Sequence, residues 1–350
     1  MGDVNVVRVL IGLAVSIGLI FYFVTKTKIH VFLAMIIGSV IAGLIVGLPT
    51  NNIVSAIKTG FGGTLGSIGI IIGFGVMMGA IFEESGAAKR MAITFIKLLG
   101  KGKEEIAMAI TGFLVSIPVF CDSAFVILSP LSKSLSRNTG KSVVTISCAL
   151  GAALLVTHSL VPPTPGPLAI VQFFELDIGK FILISLLFSI PISVAGLLYA
   201  KWVGKKINKR PDPKDSSVLI DRAYTQEEMT TTTGISEEGL PRTFISFIPL
   251  LAPIFLILLN TVANALGLKG PAKTFIGLVG DPVVAVGLGV LLAIYGLARK
   301  TDRKKVVSLL ETSIQQAGVI VFVTGAGGAL GQVLKDSGAG SAIAQMLVNA

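Results

Sequence analysis

Val156-Thr-His-Ser-Leu-Val-Pro-Pro-Thr-Pro-Gly-Pro167 lies inside a stretch, residues 142–174, that is otherwise apolar enough to cross a bilayer. Four prolines and one glycine fall within residues 162–167. Proline lacks a backbone N–H and its ring clashes with the preceding turn, so no regular helix runs through. In hydrocarbon, a broken helix is tolerated only where the freed backbone is buried in protein or lines a cavity. The segment therefore predicts an all-α membrane protein with an interrupted helix facing a cavity; the opposing reading is a tight turn at the membrane surface. A half-helix restarting near Leu168 would aim N–H groups into that cavity, a natural seat for a carboxylate. Thr157, His158, Ser159, Thr164 and Gly166 are the candidate substrate-binding residues. His158 is also a candidate for the coupling proton, since imidazole titrates near neutral pH. Ordinary helix packing is the alternative for it.

The rest of the chain fits a membrane setting. Of 350 residues, 53% are hydrophobic and 14% charged, and the mean hydropathy is +0.86. Soluble domains carry about 25% charged residues. The apolar runs 5–24, 29–48, 61–82, 178–200, 242–264, 278–298 and 313–334 predict membrane spans. The net charge of +10 comes from basic clusters at the ends of these runs, which marks topology and not a nucleic-acid surface. Clusters around Lys97 and Lys101, Lys205 and Arg210, and Arg299 and Lys305 are placed in the cytoplasm, which puts the N-terminus outside. Residues 104–136 carry Pro118, Asp122 and Pro130 between basic flanks and predict a re-entrant hairpin; two full spans would give the same parity. Cys121 and Cys148 both lie in apolar segments and read as buried thiols, with no metal site.

Gly73-Phe-Gly-Val-Met-Met-Gly-Ala-Ile-Phe-Glu-Glu-Ser-Gly-Ala87 matches Gly325-Ala-Gly-Gly-Ala-Leu-Gly-Gln-Val-Leu-Lys-Asp-Ser-Gly-Ala339 at six positions in one ungapped window. An odd number of crossings separates the copies, so they should face opposite ways, as in the inverted repeats of secondary transporters. The expected organisation is a first repeat at 1–200, a mobile cytoplasmic linker at 201–241 and a second, inverted and incomplete repeat at 242–350. The repeat places partners of Pro118 and His158 beyond Ala350, so roughly a hundred further residues are expected. Gly73, Gly75, Gly79, Gly325, Gly327 and Gly331 are candidates for close helix packing, because small-xxx-small patterns let backbones approach.

Asp122 follows Pro118 in an apolar stretch. An ionisable group at membrane depth costs about 2.5–3.5 kcal/mol on insertion scales, so it marks a cavity, a pair or a proton site. Asp122 and Ser123 join the binding candidates, and Asp122 with His158 forms the coupling pair; Asp122 also suits a simple helix cap. No nucleotide loop follows a strand. An intramembrane hydrolase built on Ser159 and His158 is disfavoured, since adjacent helical residues do not face each other. The chain therefore reads as a carrier and not an enzyme.

The Gly-rich third span ending in Glu-Glu-Ser-Gly-Ala, the Ile117-Pro-Val-Phe-Cys-Asp122 segment and the Pro-Pro-Thr-Pro-Gly-Pro run resemble the gluconate permease family, within the ion-transporter superfamily. The resemblance implies proton-coupled uptake of gluconate or a related small hydroxy-carboxylate, with a scaffold and a moving transport domain. Its partners would be a small organic anion, a proton (sodium is the alternative) and the lipid bilayer of the bacterial inner membrane. No cofactor and no nucleic acid are expected, and a homo-oligomer is left open. A sodium-coupled carrier or a cation/proton antiporter is the rival.

Overall fold

The computed structural model describes residues 6–212, 215, 218–224 and 237–338. The chain is all-α: α1 (Val6–Thr25), α2 (Val31–Val46), α3 (Thr50–Thr64), α4 (Ile70–Ser85), α5 (Ala87–Leu99), α6 (Glu104–Val115), α7 (Cys121–Thr139), α8 (Val143–Leu160), α9 (Pro165–Phe173), α10 (Ile178–Lys206), α11 (Thr243–Ala265), α12 (Pro271–Val279), α13 (Pro282–Leu292) and α14 (Arg303–Asp336). Among the described residues, strand structure is limited to β1 (Arg210–Pro211) paired antiparallel with β2 (Leu219–Ile220). Among the described residues, six helical stretches are long and apolar enough to cross a membrane, and α12 with the helix from Pro282 makes a seventh if that bent pair is one span. Their outer faces are apolar: Phe188 is 61% exposed and Phe255 65%. Such surface suits lipid, not water.

Three spans differ from the sequence expectation. The span expected at 29–48 is the 16-residue helix α2, shorter than the helices counted as long enough to cross. The span expected at 61–82 is the second part of a 36-residue helical run, Thr50–Ser85. A single π turn at Leu65–Gly69 joins α3 to α4 and keeps the helical backbone bonded across the join. The span expected at 278–298 is broken, and its two pieces meet at 63°. The physical cause is local. Asp281 accepts hydrogen bonds from the N–H groups of Val283 (2.9 Å) and Val284 (3.4 Å), and Pro282 occupies the first helical position. An Asp cap followed by Pro starts a new helix.

The chain divides into two compact units. One comprises Met1–Ile70, Ala169–Glu175 and Gln315–Ala350; the other comprises Ile71–Leu168 and Leu176–Ile314. Each mixes segments from the sequence halves 1–200 and 242–350. In the smaller unit Ala42, Ala56 and Val333 are buried together. There Gly60 and Gly328 meet backbone to backbone, since a Cβ on Gly60 would lie 2.3 Å from the Gly328 carbonyl oxygen. In the larger unit Phe82, Met91, Leu128, Leu150 and Leu154 belong to one buried cluster. A seam of Ala109, Ala149, Ala153 and Ala200 joins α6, α8 and α10. Lipid tails are as apolar as leucine, so close packing of small residues holds helices together where burial from water cannot.

The internal repeat survives as local geometry. Gly86 and Gly338 are both left-handed (φ 72° and 76°). Gly86 donates its N–H to Glu83 O (3.2 Å), and Gly338 donates to Lys335 O (3.1 Å). Ser85 Oγ donates to Phe82 O (3.4 Å), and Ser337 Oγ to Leu334 O (2.6 Å). Every atom pair is matched at the sequence spacing of the repeat. Ala339 lies outside the described residues.

Residues 213–214, 216–217 and 225–236 of the stretch expected to be a linker lie outside the described residues. The described parts of 201–241 are anchored to the larger unit. α10 continues to Lys206. Arg210 Nε donates to Gly140 O (2.5 Å), an Arg137 amino group donates to Asp212 O (2.5 Å), and Tyr224 Oη donates to Pro211 O (2.5 Å). Glu237 pairs with Arg90 (2.6 Å) and with Lys97. The polar composition suggested a tether, but these few long side chains supply anchors. Lys206 Nζ lies 4.1 Å from the Trp202 ring centre and Arg303 lies 4.9 Å from that of Tyr295, arrangements suited to a headgroup layer.

The two ends of the segment 104–139 are pinned together. Lys141 Nζ lies 2.8 Å from Glu104, 2.5 Å from Glu105 and 2.6 Å from the Gly102 carbonyl. The chain therefore leaves and returns at one place, which makes α6 and α7 a hairpin. Burial pushes both carboxyls up, but hydrogen bonds from Lys141, backbone hydrogen bonds and the positive charge of Lys141 (with Lys201 at Glu105) together outweigh it and hold them below the ordinary glutamate value. A carboxyl lowered in this way stabilises the fold above its unfolded pKa, and the contribution is lost as pH falls through the folded one. Lys141→Ala leaves two buried carboxylates without this partner, a loss on the order of 3 kcal/mol. The apparent melting temperature of detergent-purified protein is expected to drop at pH 7. The gap to wild type should close as pH falls below about 4. An equal gap at both pH values would show that the clamp is not electrostatic.

Candidate functional site

Two interruptions in the larger unit come together. The first is the hairpin tip. α6 ends at Val115, and Ser116 Oγ donates to Leu154 O (2.8 Å), which ties the tip to α8. Pro118 interrupts the helical ladder, and α7 restarts at Cys121 with Phe120 extended ahead of it (ψ 140°). The second is the proline run. Val161 is extended (φ −108°, ψ 123°), as a residue before proline should be. Its N–H makes the last helical bond to Thr157 O (2.9 Å).

A narrow cleft lies where these breaks meet α4. It is lined by Ile72, Gly75 and Val76, by the tip Ile117–Phe120, and by Pro163, Thr164 and Pro165. Ile117 and Pro163 also line a second, apolar crevice, whose other walls include Leu250, Pro253 and Pro282. Phe120 links the cleft to α8, because its ring meets the His158 ring edge-on at 5.4 Å.

The candidate residues divide sharply. Thr157 is fully buried, and neither its hydroxyl nor His158 Nδ1 has a hydrogen-bond partner. Buried polar atoms are nearly always paired, so each orphan calls for an explanation, although adjacent helical residues do not face each other. Asp122 is exposed on the first turn of α7, within Coulombic reach of His158. One of its carboxylate oxygens accepts the Ser123 N–H (2.8 Å). Ser123 is half-buried beside it. Thr164 is buried and lines the cleft, with its hydroxyl donated to Val161 O (2.8 Å). Ser159 is exposed on a different helix face from Thr157, so the structure does not bring it into this group. Among the described residues, no cluster of His, Cys, Asp or Glu could hold a metal ion.

Two expectations need correction. The half-helix after the proline run starts at Pro165 and not near Leu168. Pro165 and Pro167 carry no N–H, and the Leu168 N–H is donated to Thr164 O (3.2 Å). Gly166, exposed at the helix start, keeps the one remaining first-turn donor there. Much of the anion-attracting capacity expected of α9 is therefore absent, whereas α7 begins with Cys121 and Asp122, which both keep their N–H groups. The second correction concerns glycines. Gly79 packs tightly, because an added Cβ would lie 3.0 Å from Pro118 O. Gly325 and Gly331 press on Phe61 and Phe173, and Gly327 meets Met35 at ordinary distance. Gly73 and Gly75 meet nothing within 4 Å, so close packing is not their role. Sequence reasoning also missed Phe120, for which an aromatic in an apolar run gives no signal.

A proline-broken helix and the α6–α7 hairpin meet at a narrow cleft, on an all-α chain with many apolar helices. Against known families, residues 8–350 match the GntP family permease model. The chain belongs to the GntP permease family. It is 42% identical over 97% of its length to an uncharacterised permease of Haemophilus influenzae, covering 70% of that protein. It is 36% identical to a gluconate permease of Pseudomonas aeruginosa, over 97% of this chain and 73% of the other. It is 33% identical to a high-affinity gluconate transporter of Escherichia coli K12, over 97% and 75% respectively. This GntP permease is accordingly a multi-pass membrane transport protein and not an enzyme.

Replacing Thr157 by valine removes an unpaired buried hydroxyl without changing side-chain shape. An unsatisfied buried group costs about 1–3 kcal/mol. Thr157→Val is therefore expected to raise the apparent melting temperature of the substrate-free protein. A fall would mean that the hydroxyl has a structural partner.

Proposed function

We propose that this permease carries gluconate or a related small hydroxy-carboxylate across the bacterial inner membrane together with a proton. The unpaired His158 Nδ1, on a ring that meets Phe120 ahead of α7 and lies within Coulombic reach of Asp122, carries the reading, together with the unpaired hydroxyl of the preceding Thr157. They supply hydrogen-bond partners for hydroxyl groups, and a helix N-terminus supplies partial positive charge for a carboxylate. The relatives named for gluconate add the substrate class.

Coupling follows from where Asp122 sits. Its carboxylate already occupies the first turn of α7 through the Ser123 N–H. A charged Asp122 repels an incoming carboxylate and competes for the same helix end. A proton on Asp122 removes the repulsion and frees that end. Anion and proton then bind together and leave together. Inverted halves, of which the Ser-Gly corners at 85–86 and 337–338 are the local trace, would let the loaded site open to each side in turn.

The test is uptake of labelled gluconate into proteoliposomes under an imposed pH gradient. Wild type should accumulate gluconate against its own gradient. Asp122→Asn should lose accumulation while keeping downhill exchange. Thr157→Val should lower kcat/KM about tenfold, the order expected when a hydrogen bond to substrate is lost. Accumulation by Asp122→Asn would remove Asp122 from coupling, and accumulation that tracks sodium at fixed pH would assign a different ion.

A further inference from the structure

We infer that Gly75 sets the size of acid the site accepts: its missing side chain keeps open the part of the cleft that takes the substrate's carbon chain. This rests on the reading that the cleft at the two breaks holds the substrate.

Gly75 and Gly79 lie one turn apart on α4 and belong to the same small-xxx-small pattern, yet they behave oppositely. At Gly79 a Cβ would lie 3.0 Å from Pro118 O and 3.4 Å from Val119 Cα, so that glycine is required by contact with the hairpin tip. At Gly75 a Cβ would meet nothing within 4 Å, although the residue is buried. A buried helical glycine with empty space ahead of it is unusual. Interiors are close-packed, and alanine in a helix is favoured over glycine by about 0.5–1 kcal/mol. Packing would have been served better by a larger residue.

The space ahead of Gly75 is the cleft. Gly75 forms one wall with Ile72 and Val76, while the hairpin tip and Pro163–Pro165 form the others. Apart from Thr164, whose hydroxyl is donated to Val161 O, these neighbours are apolar side chains and proline rings, which suit the C–H faces of a polyol chain. The donors and acceptors for its hydroxyls lie beyond Phe120, at Thr157 and His158. A methyl group at position 75 would project into this space without touching the rest of the fold. It should shorten the acid that fits. Gly73, two residues earlier, also meets nothing within 4 Å but does not line the cleft, so it serves as a control.

Uptake of six-carbon gluconate and of three- and four-carbon hydroxy acids would be compared in proteoliposomes for wild type, Gly73→Ala, Gly75→Ala and Gly75→Ser. Melting would be measured on the same preparations. Gly75→Ala is expected to melt no lower than wild type. Its kcat/KM for gluconate should fall about tenfold or more relative to the shorter acids, since one methyl-sized change in a pocket is worth that order of discrimination. Gly75→Ser should do the same, and Gly73→Ala should leave the ranking unchanged. An unchanged ranking in Gly75→Ala and Gly75→Ser would overturn the assignment of Gly75, and so would an equal loss for all acids. Wild-type uptake that is indifferent to Thr157→Val would instead overturn the location of the site on which the inference rests.

Discussion

The structure turns on a constraint of the medium: hydrocarbon offers no partner for a free peptide group. A helix can be interrupted there only if the loose N–H and C=O groups are covered by protein or face polar space. Both interruptions in the larger unit meet this condition in the same way, by facing each other. Ser116 donates across to the Leu154 carbonyl, Thr164 folds its hydroxyl onto Val161 O, and Gly79 lets Pro118 approach α4. The break in one element is the cover for the break in the other.

That arrangement also decides which helix end can attract an anion. Two of the first three residues of α9 are prolines, so its start is poor in N–H groups. α7 keeps its first-turn donors and places a carboxylate among them. The proline run therefore shapes the cleft, while the hairpin tip carries the electrostatics. His158 and Phe120 lie at the join between the two.

Much of this was legible in the sequence, for physical reasons. Proline clusters and a lone carboxylate in apolar surroundings are loud signals, because each is expensive at membrane depth. They located both breaks and most of the candidate residues. The π turn at Leu65–Gly69 was not legible, since it changes no composition and leaves hydropathy continuous. The bend at Gly280-Asp281 was written in cap chemistry but masked by apolar residues on both sides. The opposite roles of Gly75 and Gly79 could not be read at all, because a glycine pattern says that backbone can approach and not what approaches it. The anchoring of the described linker residues depended on single long side chains, Arg210 and Glu237, inside a polar stretch whose average composition pointed elsewhere.

The Lys141 clamp bears on how the protein is made. Its ion pair with Glu105 spans 36 residues, and its bond to Gly102 spans 39. The stem of the hairpin can thus close as soon as that short length has been synthesised. The opposite wall, with Leu250, Pro253 and Pro282, emerges more than a hundred residues later. Short sequence separation makes this closure cheap in chain entropy, whereas the contacts to the later helices close far longer loops.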